Sequence, residues 1–134
     1  MTKRVTGYPG LALPKGVNVH LMNILNSCRG ADKAVSRERI NELLDRYHGY
    51  VLEDRAMRLA VEKIRNMGIR LCDLEDGSGL FIADNQAEYD QFKMRYGKHA
   101  FSLIKTIRAM DKNVSVETLD DDSLDIAPVQ LRLA

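Results

Sequence analysis

The side chains best suited to recognition chemistry crowd into residues 54–68, which contain Arg55, Arg58, Leu59, Glu62, Lys63 and Arg65. An arginine fork can grip guanine O6 and N7 with two hydrogen bonds, a leucine can meet a thymine methyl, and a glutamate can accept from a cytosine amino group. Arg55, Arg58, Leu59 and Glu62 therefore suit base edges. Lys63 and Arg65, with Arg37, Arg39 and Arg70 from flanking segments, suit phosphates, which supply affinity and salt dependence without sequence choice. Leu59 has two readings, a base contact or an apolar side chain packed under a neighbouring turn.

Such groups need a rod to present them. At about 100° per residue, Ala56, Met57, Ala60, Val61, Ile64 and Met67 fall on one side of a helix that Asp54 can cap and Gly68 can end. That side is the expected core face, and Arg55, Arg58, Leu59, Glu62, Arg65 and Asn66 lie opposite. Residues 69–74 and 79–83 then read as short strands joined by Glu75-Asp76-Gly77-Ser78, whose Asp-Gly step signals a hairpin. A glycine-ended helix feeding a hairpin is the order of a recognition helix and its wing. The run Asp54-Arg55, Met57-Arg58, Val61, Ile64-Arg65 and Gly68-Ile69, followed by Gly79-Leu80-Phe81-Ile82-Ala83, resembles small winged helix-turn-helix DNA-binding proteins of phages and prophages. More distantly it is similar to the DNA-binding domain of biotin-repressor-type regulators. The likeness covers about residues 17–110. It implies a mainly α fold with a small β-hairpin, in the order helix, strand, helix, helix, strand, strand, plus a long C-terminal helix. The wing tip departs from the pattern, with Glu75 and Asp76 where such proteins often carry Lys or Arg.

The supporting elements follow along the chain. Residues 1–16, with Lys3, Arg4, Gly7, Pro9, Gly10, Pro14, Lys15 and Gly16, read as a flexible N-terminal arm, whose Lys and Arg can alternatively enter a minor groove beside a recognition helix, or which Tyr8, Leu11 and Leu13 can pin to the core. The winged-helix domain is expected over 17–84. Its first helix spans 17–28, with Val17, Leu21, Ile24, Leu25 and Cys28 on one face. Ala34-Val35 suits a short strand against the wing. Ser36 can cap a second helix that buries Ile40, Leu43, Leu44 and Tyr47, and a turn through residues 48–53 completes the helix-turn-helix. Asp84 or Asn85 then caps a helix over 85–111, where Tyr89, Phe92, Tyr96, Ala100, Leu103, Ile107 and Met110 form a stripe seated on the domain. Met94, Phe101 and Ile104 lie on another side with Gly97 between them. Either they cover the domain's own first helix or they form a homodimer seam, where Gly97 allows close approach. Residues 112–134, with Asp120-Asp121-Asp122, read as a disordered acidic tail.

Charge separates these parts. Residues 1–112 carry 19 Lys and Arg against 14 Asp and Glu, and residues 113–134 carry 1 against 5, giving a body of +5 and a tail of −4. A mildly basic body suits nucleic acid. Cys28 and Cys72 lack ligand or disulfide-framework spacing and are expected to be buried thiols in a reducing compartment, the cytoplasm or nucleoid of a host cell. No stretch is apolar over a bilayer's length, so no membrane association is expected. His20, His48 and His99 sit in separate elements without paired ligands, and no nucleophile elbow or paired carboxylates occur, so neither metal, cofactor nor catalysis is expected. Two functions remain: a sequence-specific double-stranded DNA-binding protein of a phage or mobile element, acting on transcription or at a replication origin; or a winged-helix interaction module docking on a host or phage protein.

Overall fold

Helix formation here is dictated by apolar rows that need each other. The computed structural model describes residues 2–8 and 12–116, and within them four α-helices, four short strands and one turn of 3-10 helix at Ala31–Lys33. The chain divides into two compact units, Met1–Arg95 and Tyr96–Ala134. In the first, α1 (Val17–Leu25) contributes Val17, Leu21 and Leu25, α2 (Arg37–His48) contributes Ile40 and Leu44, and α3 (Asp54–Asn66) contributes Ala56, Met57, Ala60, Val61 and Ile64. These rows interlock with Leu71, Leu80 and Ile82 in one core. Each row alone is too narrow to bury itself, and each is what the others cover. Tyr47 and Met67 were expected in these rows but are exposed. Tyr47 sits on the rim of a cleft between α1 and α2, and Met67 is the residue that follows the last residue of α3.

Part of the segment expected as an N-terminal arm is a strand. Strand β1 (Lys3–Val5) pairs in parallel with β2 (Tyr50–Leu52), in the register Lys3 to Tyr50, Arg4 to Val51 and Val5 to Leu52. Val5 is buried in the main core. The turn expected over 48–53 therefore contains a strand, because Tyr50 and Val51 are good strand formers and β1 supplies a partner along all three residues. Glu53 N–H donates to the Val5 carbonyl at 2.8 Å, and the Asn41 amide both donates to the Leu52 carbonyl and accepts from its N–H, each at 2.9 Å. Glycine matters here. Gly7 has φ +76°, and a Cβ on it would stand 2.8 Å from the Ala56 nitrogen, so only a glycine lets the segment lie on the start of α3.

Strands β3 (Leu71–Asp73) and β4 (Leu80–Ile82) form an antiparallel hairpin. Its turn is closed by Gly77 N–H donating to the Leu74 carbonyl at 2.8 Å and by Asp76, which accepts from both the N–H and the hydroxyl of Ser78. On its other edge β4 exchanges two 2.8 Å bonds with Val35, so the strand expected at Ala34-Val35 is a single bridge. Ser36 caps α2 by accepting from Arg39 N–H. Asp54 does not cap α3: it is the first helical residue, and Glu53 holds the cap position without a side-chain bond. The helix C-terminus closes at Gly68, φ +92°. Asn85 caps α4 (Gln86–Asp111), while Glu88 reaches back to the N–H groups of Asp84 and Ala31. Cys28 and Cys72 are both buried, and burial pushes the Cys72 thiol's pKa up.

In the first unit, Phe92 is buried and Tyr89 half-buried, while Met94 is exposed. In the second, Tyr96, Leu103, Ile107 and Met110, expected to be seated on the domain, are exposed along with Phe101 and Ile104. A Cβ on Gly97 would meet nothing within 4 Å. The acidic run at Asp120-Asp121-Asp122 and residue Leu11 lie outside the described residues. Among the described residues no helix is long and apolar enough to cross a membrane.

A histidine pair makes stability depend on pH. The His20 and His48 rings stack with centroids 3.5 Å apart, and His20 Nδ1 lies 2.8 Å from the Tyr50 hydroxyl. Burial, and then the neighbouring His48, hold the His20 pKa below its ordinary 6.5. As pH falls through 6.5, the unfolded chain takes up a proton that native His20 resists, so stability is full above 6.5 and declines below it. Thermal melts should therefore show a lower Tm at about pH 5 than at about pH 7.5, and His20→Phe should shrink that difference.

Candidate nucleic-acid interface

The outward face of α3 carries Arg55, Arg58, Leu59, Glu62 and Lys63, all exposed. This is the helix face opposite the core row, and its first turn lies beside β1 and the start of α2. Arg58 reaches two adjoining clefts. One, of about 510 Å³, is lined by Arg4, Thr6 and Tyr8 together with Glu53, Asp54 and Arg55. The second, of about 410 Å³, is lined by Arg37, Asp54 and Arg58. Arg58, Glu62 and Lys63 join no side-chain hydrogen bond or ion pair among the described residues. Their functional groups are spare as far as folding is concerned.

Other members of the expected set have intramolecular employment. Arg55 Nε donates to the Gly7 carbonyl at 2.8 Å, and its guanidinium carbon lies 5.8 Å from the Tyr8 ring centroid. It stays exposed at the edge of the cleft but is partly committed to holding the N-terminal segment. Arg37 reaches from the first turn of α2 to the Gly77 carbonyl at 3.2 Å, tying that helix to the hairpin turn. Arg39 pairs with Glu42 on the surface of α2 at 2.8 Å. Leu59 is 38% exposed, at the boundary between the core and polar faces.

Arg65 and Arg70 are placed differently from the expectation that they serve phosphates. Arg65 Nε donates to the Leu71 carbonyl at 2.8 Å, its guanidinium lies 3.8 Å from an Asp73 carboxylate oxygen, and its carbon sits 4.9 Å from the Phe92 ring centroid. Only 21% of its side chain is exposed. Arg70 donates to Gln86 at 2.9 Å and stacks on Tyr89 at 4.1 Å. Both brace the hairpin against the start of α4, and Arg95 adds a 2.9 Å bond to the Asp73 carbonyl. Arg65→Ala should consequently lower stability by roughly 1 to 3 kcal/mol, because it takes the side-chain donor from the Leu71 carbonyl and leaves the Asp73 carboxylate with Arg95 alone. Chemical denaturation would measure this, and the folded variant should keep its parent's binding behaviour.

The tip of the hairpin is acidic and stays so. The Ser78 hydroxyl, and then its N–H, hold the Asp76 carboxyl below the usual range, and Glu75 stands beside it. Sequence reasoning placed Arg4 and Tyr8 on a loose arm, and Thr6 and Asn41 drew no attention. The alternation of apolar and polar residues in so short a segment is too weak a signal to mark a strand. Compared with known protein families, curated proteins and solved structures, the chain matches none of them.

Proposed function

We propose that this chain is a sequence-specific double-stranded DNA-binding protein with the winged helix-turn-helix arrangement. In this reading α2 and α3 are the helix-turn-helix, α3 enters the major groove, and β3 and β4 are the wing. The single observation that carries the proposal is the exposed row Arg55, Arg58, Leu59, Glu62 and Lys63, which offers donors, an acceptor and an apolar contact along one helix face, with Arg58, Glu62 and Lys63 free of side-chain hydrogen bonds and ion pairs among the described residues. Arg58, Leu59 and Glu62 read bases, while Lys63 and Arg37 contact phosphates. Such a protein acts as a positioned obstacle or platform in transcription or at a replication origin of a phage or mobile element.

The exposed apolar residues Phe101 and Ile104 of the second unit support pairing of two copies, which would require half-sites about one helical turn, or a multiple, apart. Binding to fragmented genomic DNA, followed across a salt series and by footprinting, tests the proposal. Affinity should fall steeply as salt rises, and protection should be confined to a few sites. A specific observation favours a second reading, a protein-docking module: the hairpin tip is held anionic by the Ser78 bonds to Asp76 and would repel a phosphate backbone. Absence of duplex binding even at low salt would favour that reading.

A further inference from the structure

Resting on the DNA-binding reading, we infer that the N-terminal segment is the second wall of the binding groove. Arg4, Thr6 and Tyr8 hold a phosphodiester of the duplex against Arg58, and Glu53 is the carboxylate that this phosphate replaces at Arg4. The placement comes from three independent features. The parallel pairing of β1 with β2 fixes Arg4 in register with Val51, two positions before Glu53, through which the chain enters α3. The close approach of Gly7 to Ala56 then lays residues 6–8 on the first turn of the same helix. Finally, the three side chains and Arg58 line the same cleft of about 510 Å³.

The chemistry of that wall suits a backbone phosphate. Arg4 is 73% exposed and Tyr8 is 62% exposed, so neither is consumed by packing. Arg4 Nε lies 3.1 Å from Glu53 in an exposed ion pair, and exposed pairs are weak and readily exchanged for another anion. Glu53 occupies the cap position of α3 without a capping bond, so its carboxylate serves Arg4 rather than the helix. The Tyr8 hydroxyl and the Thr6 hydroxyl add donors, and a charge-assisted contact from an arginine fork to a phosphate is stronger than either neutral bond. With Glu53 in place, the cleft is kept from holding any passing anion tightly. A duplex delivers its phosphate already positioned by the α3 contacts.

Anisotropy of a short labelled duplex with the full-length protein, read at several salt concentrations beside melting controls, tests this. Arg4→Gln should weaken binding about threefold to tenfold and lower the slope of log affinity against log salt by about 0.9, one phosphate's worth. Tyr8→Phe should weaken binding by a smaller factor with an unchanged slope. Glu53→Gln should tighten binding about twofold to fivefold by freeing Arg4. If Arg4→Gln and Glu53→Gln both match the parent while Arg58→Ala does not, the second wall is refuted and the helix reading survives. If the parent fails to bind duplex at low salt, both fall. Inorganic phosphate, titrated against matched chloride, should displace duplex no better than chloride does; tight binding of phosphate alone, seen at the Arg4 and Tyr8 resonances, would make this a free-anion site and overturn the proposal.

Discussion

In the proposed DNA-binding role, Arg58→Ala is expected to lose roughly 1 to 3 kcal/mol of binding free energy on the preferred site and to relax the base preference at one position. Arg58 stands in the first half of α3, which comes nearest the bases when a recognition helix enters the major groove. Arg55, three residues earlier, is tied to the Gly7 carbonyl and should matter less. Lys63→Ala is the internal control, because a phosphate contact is lost equally on every sequence. Parallel titrations on the footprinted site and on scrambled DNA decide the matter. Equal losses for both variants on both duplexes would remove Arg58 from base recognition. Thermal melting should show no change for Arg58→Ala, since the side chain has no intramolecular hydrogen bond or ion pair among the described residues.

Ile64→Ala is expected to destabilise the fold by about 2 to 5 kcal/mol, a large part of the stability of a small domain. Ile64 has no exposed surface and belongs to the core joining the helices to Leu71 and Leu80. Removing its outer carbons forfeits burial and leaves a void, and the neighbours are held too firmly to refill it. Arg65 brackets the same turn to Leu71, which limits local collapse. Denaturant unfolding should show a lower midpoint with an unchanged slope. A change in slope instead would mean that the β3–β4 hairpin had detached from α3 as a separate event. The proposed DNA binding should persist below the melting transition, because the outward face of α3 is untouched.

The comparison of Arg58 with Arg65 shows how much of the site was legible in the sequence. The two are seven positions apart on one helix, nearly two full turns, and face almost the same direction. Periodicity therefore assigns them a common outward face. Nothing local distinguishes them, yet Arg58 is exposed beside an open cleft and Arg65 is clamped between Leu71, Asp73 and Phe92. The cover over Arg65 arrives from elsewhere in the chain.

By itself the sequence determined whatever depends on near neighbours: most of the apolar rows of α1, α2 and α3, the Ser36 cap, a cap for α4 at Asp84 or Asn85, the glycine stop at Gly68 and the Asp-Gly hairpin turn. Those features rest on helical spacing and backbone conformation, which a few adjacent residues decide. Tertiary structure alone decided that Lys3–Val5 is a strand beside Tyr50–Leu52, that Arg65 and Arg70 are braces, and that His20 meets His48. Each of those outcomes joins parts of the chain through a contact whose partner no local pattern names, so it exists only once the core has brought them together.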